Sequence, residues 1–397
     1  MINISSEIYK WIEEHQDEDV SKLRLRYHKQ MTEELAFAIL QIECRRKALK
    51  KLSATLQNKQ FVFPTTLSAE QCTSDLLSAF HATLIDDGVS MIDLTCGLGI
   101  DVYHFAQRVQ SITAVERNPE IAQAVKYNAG ILGFKNINVK NADCCEFIKN
   151  VVSHFDVAFI DPARRGNSGK RLFALSDCEP DVTAIFNDIK KKCDKLIIKA
   201  SPMLDISQII RELPEITEIY AIGTLRECKE IVVVVDFKIR TEIVKVNAVT
   251  LDKKESIKLS FDQNDEINAT PHYAIPQEQG YLYEPYPAIM KVAPFRLLSS
   301  KYNVAKLHSN THLYTSQDQI SDFPGDIFKI VDIIPFSSKE IKEFMSKYPQ
   351  INVATRNFIM SAEDLRRKLK VKDGGDKRVF GCTVSNGSRQ LIVVSAV

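Results

Sequence analysis

The stretch Met91-Ile-Asp-Leu-Thr-Cys-Gly-Leu-Gly-Ile-Asp101 constrains this chain more than any other. A short apolar run ends on an acid, enters a turn with glycines at 97 and 99, and resumes as a helix. Glycines permit a tight turn and a close approach of backbone to ligand. A second apolar run, Ile112-Thr-Ala-Val-Glu116, ends on an acid about 20 residues further on, the spacing at which a doubly wound fold holds a ribose. The pattern predicts a site for an adenosine-containing cofactor.

The turn departs from the dinucleotide fingerprint G-x-G-x-x-G, because Val102 stands three residues after Gly99. Asp93 and Asp101 flank it and make it a poor phosphate cradle. Carboxylates suit a ligand with a cationic amino group and no phosphate. S-adenosylmethionine (SAM), with an amine, a sulfonium and a ribose diol, meets that description.

With those residues in place, the chain resembles the class I SAM-dependent methyltransferases. Asp93 to Gly99 is similar to their first motif, and Glu116 to the acid that grips both ribose hydroxyls. Asn141-Ala-Asp-Cys144 is similar to the third motif, where Asp143 would contact the adenine amino group. Phe155-Asp-Val-Ala-Phe-Ile-Asp-Pro-Ala-Arg-Arg165 sits where the fourth belongs. The resemblance implies cofactor contacts from Asp93, Cys96, Gly97, Gly99, Glu116, Arg117, Asn118, Asp143 and Cys144. In this family the segment before the first strand often packs over the cofactor, which adds Gln71, with Glu70 and Ser74 beside it. Those three residues read equally as helix-start residues, since Ser68 with Gln71 predicts a capping box and a helix beginning there.

Asp161-Pro-Ala-Arg164 corresponds to the motif D/N-P-P-aromatic of methyltransferases that modify exocyclic or amide nitrogens. An aniline-like nitrogen is a poor nucleophile because its lone pair is delocalised. Acceptors on Asp161 and the Pro162 carbonyl would take its N–H bonds and localise that pair; proximity supplies the rest. Ala163 replaces the second proline and Arg164 the aromatic. A guanidinium plane also stacks on a base, and Arg165 would hold a phosphate. Gly166 to Arg171 continues as a basic loop. The alternative is that Arg164 and Arg165 are surface residues of a loop. Cys144 and Cys145 read as buried structural cysteines rather than nucleophiles.

Apolar runs alternating with helical periods between residues 90 and 240 predict a mainly parallel, doubly wound sheet. Its seven strands fall near 91–94, 112–116, 137–140, 157–160, 195–199, 217–222 and 231–237, the last antiparallel. The fold class is α/β, a Rossmann-like seven-stranded methyltransferase sheet with an N-terminal helical region and a C-terminal α+β domain. The expected division is a helical region at 1–60, the methyltransferase domain at 61–240, a connecting α+β region at 241–320, for which a ferredoxin-like arrangement is open, and a last domain at 321–397.

Helices in the first region start at Ser5-Ser6, at Asp19 or Ser21, and at Thr32; the third ends in Arg45, Arg46, Lys47, Lys50 and Lys51. That basic edge is either solvated or touches an RNA backbone. Tyr281-Leu-Tyr-Glu-Pro-Tyr-Pro287 either presents rings to a base or forms a packed strand-to-helix turn. The most basic run, Arg366-Arg-Lys-Leu-Lys-Val-Lys372, lies on a helix capped by Ser361 and is a solvated face or a phosphate-binding one. This C-terminal pattern, with the Tyr-Glu-Pro-Tyr-Pro-Ala segment and Asn357 to Ser361, resembles uncharacterised bacterial class I methyltransferases whose C-terminal domain is THUMP-like. True THUMP domains bind structured RNA, so the resemblance implies tRNA or rRNA as partner.

Lys plus Arg number 52 and Asp plus Glu 51, so RNA affinity must come from a local patch rather than from net charge. Nine scattered cysteines form no C-x-x-C pair, against a disulfide framework or zinc site and in keeping with a reducing cytosol. Neither a signal peptide nor an apolar run of membrane length is read, so a cytoplasmic protein without a metal is expected. The expected function is SAM-dependent methylation of a base nitrogen in RNA, guanine N2 foremost. An RNA-binding adaptor on a silent methyltransferase fold, and a methyltransferase for a protein or small molecule, are the alternatives.

Overall fold

The computed structural model describes residues 4–164, 174–252 and 256–397. It divides into two compact units, residues 1–217 with 232–242 and residues 218–231 with 243–397.

Helices α1 (Ser6–His15), α2 (Val20–Tyr27) and α3 (Glu33–Ala48) open the first unit. Each starts where a side chain caps it: Ser5 accepts from Ile8 N, Asp19 from Lys22 N and Thr32 from Leu35 N. Ile12, Leu23, Ala38, Ile39 and Ile42 form their core. The basic end of α3 is consumed within the chain. Arg45 Nη2 donates to the carbonyls of Lys59 and Phe61 at 2.6 and 2.7 Å. Arg46 Nε donates to the Gln16 carbonyl at 2.8 Å, and Lys47 Nζ sits 2.6 Å from Glu70. Lys51 Nζ donates to the Glu70 carbonyl at 2.6 Å. These residues cross-link segments of the unit, while Arg46, Lys47 and Lys50 keep exposed surface.

The segment at 61–63 is held from its other side by Asn128, fully buried, which accepts from Val62 N and donates to Val62 O, both at 2.9 Å. The next helix, α4 (Thr66–Gln71), begins before Ser68. The hydroxyl oxygen of Thr65, directly after Pro64, accepts from Ser68 N–H, while the Ser68 hydroxyl accepts from Thr65 N–H. Ser68 is therefore the distal half of the capping box, and it is buried with Ala69. Ser74 caps α5 (Asp75–Ala82).

All seven expected strands form: β1 (Ser90–Asp93), β2 (Ser111–Glu116), β3 (Ile137–Asn141), β4 (Phe155–Ile160), β5 (Cys193–Ala200), β6 (Glu218–Gly223) and β7 (Cys228–Asp236). Within the first unit the order is β7-β5-β4-β1-β2-β3, and the ladders from β5 to β3 are parallel. Helices α6 (Ile100–Phe105), α7 (Pro119–Ile131), α8 (Cys144–Asn150), α9 (Val182–Lys192) and α10 (Ile206–Glu212) connect them. Chain order reverses between β1 and β4, and a crevice opens where the loops leaving a parallel sheet part in this way.

In the second unit β6 turns into β7 through a Thr224 N to Glu227 O bond of 2.9 Å. The strands β8 (Lys245–Thr250) and β9 (Ile257–Asp262) extend β6, β8 pairing parallel with it and β9 antiparallel with β8. A second sheet holds β10 (Tyr281–Pro285), β11 (Ala305–His308), β12 (Thr311–Ser316), β13 (Gly325–Pro335), β14 (Asn352–Arg356), β15 (Lys377–Thr383) and β16 (Arg389–Ala396). Their order is β11-β12-β10-β13-β16-β15-β14, antiparallel except for β14 with β15. Helices Ser338–Lys347 and Ala362–Leu369 pack on it through Phe344, Leu365 and Leu369. Tyr283 is fully buried, its hydroxyl 2.7 Å from Ser316 Oγ and its ring 5.0 Å from Phe323. The strand-to-helix reading holds for it, and it offers no ring to a base. No helix among the described residues is long and apolar enough to cross a membrane.

Asn128→Ala strips the buried Val62 N–H and C=O of both partners. It should lower unfolding free energy by about 3 kcal/mol, read as a reduced urea midpoint at constant slope. A loss below about 1 kcal/mol would mean that Asn128 does not clamp this segment.

Candidate active site

The carboxyl ends of the parallel strands gather acids. Asp93 ends β1 and is 1% exposed, and its Oδ1 accepts from Thr95 N at 2.9 Å. Glu116 ends β2; its Oε2 accepts from Gly97 N at 3.1 Å and its Oε1 from Asn118 N at 2.8 Å. The acid at the end of β2 thus shapes the glycine turn after β1. Gly97 has φ +51°, and a Cβ there would meet only Thr95 O, at 4.0 Å, so its backbone faces open space. Gly99 has φ +84°, and a Cβ there would lie 2.8 Å from the Tyr103 ring, so glycine is required on both counts. Asp143 follows β3 and caps α8, its Oδ1 accepting from Cys145 N and Glu146 N at 2.9 and 3.1 Å.

Asp161 follows β4. Its backbone N–H donates to Thr95 Oγ1 at 2.7 Å, which ties the loops after β1 and β4 across the crevice. Its Oδ2 lies 2.5 Å from Lys199 Nζ, near the end of β5. Lys199 also donates to Thr73 Oγ1 at 3.0 Å, and Thr73 donates to Asp101 Oδ2 at 2.6 Å. Asp101 Oδ1 accepts from Ser78 at 2.8 Å and lies 2.8 Å from His81 Nδ1. Burial raises the Asp101 carboxyl, but the His81 charge and hydrogen bond, Lys199 and Thr73 hold it well below the usual carboxylate range. Sequence reasoning missed Lys199, Thr73 and His81. One signal was present: Lys199 is a charge inside the apolar run Leu196-Ile-Ile-Lys-Ala200.

Other expected residues have surroundings of their own. Cys96 is buried with its Sγ 3.7 Å from Gly97 O. Arg117 is exposed and pairs with Glu179 at 2.6 Å. Asn118 caps α7. Cys144 is buried, its Sγ 4.0 Å from that of Cys145, and burial pushes its thiol up to about 12. Gln71 is exposed at the end of α4, and Glu70 is held by Lys47. Pro162 is buried. The backbone of Ala163–Arg164 pairs antiparallel with Cys178–Glu179. Arg165 and the basic loop at 166–171 lie outside the described residues.

The site's charge fits a cationic cofactor. Asp93, Asp101, Glu116 and Asp161 interact through space, and among the described residues Lys199 and His81 are the cationic groups bonded into this set. Burial, opposed by the Thr95 N–H bond and reinforced by Asp101, Asp161 and Glu116, lifts the Asp93 carboxyl well above its usual range. A cation placed beside it would relieve that. The open space before Gly97 and the excess of carboxylates fit a ligand that carries an amine and a sulfonium, as SAM does.

A carboxyl raised by folding adds its full stability below the unfolded value, about pH 4, and loses it as pH rises through the folded value. Asp93→Asn keeps the oxygen that Thr95 N–H uses and removes the titration. Its melting temperature without ligand should exceed that of the wild type by a margin that grows between pH 5 and pH 8, while SAM no longer shifts it. Lower stability at every pH would remove the charge argument.

Three families match in sequence: a methyltransferase domain at residues 85–218, a ferredoxin-like domain at 281–324, and a THUMP domain-like family at 325–396. An uncharacterized RNA methyltransferase of Mycoplasma mobile is 32% identical over 77 residues, 19% of this chain and 21% of that protein. The 23S rRNA (uracil(1939)-C(5))-methyltransferase RlmD of Cronobacter sakazakii is 31% identical over 88 residues, 21% of this chain and 20% of its own length. The chain thus spans about a fifth of the length of these curated relatives. A crystal structure of a candidate methyltransferase from Porphyromonas gingivalis W83 covers 100% of both chains at 29% identity, with a TM-score of 0.89. The chain thus carries a methyltransferase domain and a THUMP domain-like region, and over its whole length it is similar to that candidate methyltransferase.

Proposed function

We propose that the protein is a SAM-dependent RNA methyltransferase and that the acceptor is a base nitrogen. The observation that carries this reading is Asp161, placed at the end of β4 across the crevice from Asp93 and bound to a lysine. Asp93, Glu116 and Asp143, with Cys96, Gly97, Gly99, Arg117, Asn118, Cys144 and Gln71 around them, hold the cofactor, which when bound supplies an electrophilic methyl group. Asp161 accepts one N–H of the base amine, and the Pro162 carbonyl accepts the other. Once the nitrogen has taken the methyl, the proton it gives up passes to the Asp161 carboxylate and then to water.

The curated relatives point to a second acceptor, since RlmD is named for uracil C5. That name lends guanine N2 no support. Methylating a pyrimidine carbon by covalent addition calls for a thiolate, and burial raises the thiols of Cys44, Cys72, Cys96, Cys144, Cys145, Cys193, Cys228 and Cys382. A nitrogen acceptor needs no thiolate, so the chemistry favours it. RNA as the substrate draws support from the relatives' names and from the exposed Lys368, Lys370 and Lys372 of the second unit. Arg367 there is engaged by Asp364 at 3.8 Å.

The decisive experiment incubates the protein with methyl-labelled SAM and separate tRNA and rRNA fractions, then identifies the methylated nucleoside by mass spectrometry. A methyl on guanosine or adenosine nitrogen supports the proposal, and 5-methyluridine gives the second reading. RNA binding without transfer would leave an adaptor, and transfer only to protein or small molecules would leave the third reading. Asp161→Asn should cut turnover by more than about 100-fold while changing SAM affinity less than about threefold. Equal loss of both would make Asp161 a cofactor residue.

A further inference from the structure

We infer that Lys199 is a positioning residue that fixes the carboxylate of Asp161 as an acceptor, and that Thr73, Asp101 and His81 fix Lys199 in turn. Asp161's part in the reaction is the reading proposed above, and the inference deepens it. The geometry is directional. Thr73 has one hydroxyl proton and gives it to Asp101 Oδ2 at 2.6 Å, so towards Lys199 it acts as an acceptor. Lys199 Nζ then donates on two sides, to Thr73 at 3.0 Å and to Asp161 Oδ2 at 2.5 Å. The Lys199 side chain is 13% exposed and that of Asp161 38%, so water reaches the pair from the carboxylate side only and screens it less than a pair of two surface groups.

The chain behind Lys199 is anchored in the core. Thr73, Asp101 and His81 are buried, and Ser78 adds a second donor to Asp101. An anionic Asp101 stabilises the ammonium through Thr73, and the ammonium stabilises an anionic Asp161. The titratable groups around Asp161 among the described residues are Lys199 from β5, Asp93 from β1, and behind them Asp101 from α6 with His81 from α5. Asp93 and Asp101 would both push Asp161 towards its neutral form, and Lys199 opposes them from closest range. A neutral carboxyl would present a hydroxyl to the amine and hold the proton that has to leave. The same pair fixes direction, because the ammonium holds Oδ2 in place.

The test reads Asp161 itself in the full chain. Carboxyl-labelled aspartate, assigned with Asp161→Asn, is titrated by carbon NMR in the wild type, Lys199→Met, Lys199→Arg and Thr73→Val. Asp161 should titrate about one pH unit or more higher in Lys199→Met. Lys199→Arg should return most of the shift, and Thr73→Val should show a smaller shift of the same sign. An Asp161 titration unchanged in Lys199→Met would overturn the inference without touching the proposed function. If Lys199→Met does not fold, an unshifted Thr73→Val, together with Lys199→Arg at the wild-type value, overturns it equally. Turnover gives the second readout: kcat falls about tenfold or more in Lys199→Met with SAM affinity kept, and the acid limb of the pH profile moves up with the NMR shift. A wild type that transfers no methyl to any RNA fraction counts against the proposed function, while the NMR titration still decides the role of Lys199.

Discussion

The site depends on the balance of charge at the carboxyl edge of the parallel strands. Asp93, Asp101, Glu116 and Asp161 approach one another there, and folding buries Asp93 among them. Such a gathering is unfavourable unless hydrogen bonds, cations or a ligand offset it. Backbone N–H groups serve Asp93, Glu116 and Asp143; Lys199 and His81 serve Asp161 and Asp101. Asp93 stays the least compensated, where the glycine turn leaves room. The turn's shape follows from the same acids, since Gly97 N–H is held by Glu116.

Most of the edge was legible in the sequence because β1, β2 and β4 are short apolar runs that stop at or just before an acid. Asp93 and Glu116 could be placed by local pattern and spacing, and Asp143 and Asp161 by the resemblance of their segments to the family's third and fourth motifs. The second tier was not legible, because its partners come from separate elements. Lys199 meets Asp161 across 38 positions, and Thr73 meets Asp101 across 28. No local rule links such pairs. Lys199 could have been suspected as a charge in a buried strand, whereas His81 sits in an amphipathic helix where histidine is unremarkable. The capping box was misplaced by a few residues because Thr65 and Ser68 offer the same hydroxyl, and burial of Ser68 decides between them.

Basic residues were the least legible of all. Arg45, Arg46, Lys47 and Lys51 look alike in sequence to Lys368, Lys370 and Lys372. The first group bonds backbone carbonyls and carboxylates within its unit, with Arg46 and Lys47 still exposed, while Lys368, Lys370 and Lys372 are exposed on the second unit. Partner geometry, not charge density, separates an internal cross-link from a surface that could meet a polyanion.

The path of the chain between the two units has a consequence for modularity. The division falls after residue 217, inside β7 after 231, and after 242, so the backbone passes from one unit to the other three times. No single cut releases either unit whole. A truncation near residue 240 removes β8, the parallel partner of β6, and leaves that strand's outer hydrogen-bonding edge bare. The two halves of such a chain cannot be exchanged as beads on a string. A recombination event that keeps both units intact would have to preserve the hairpin of β6 and β7 as well, which ties their inheritance together.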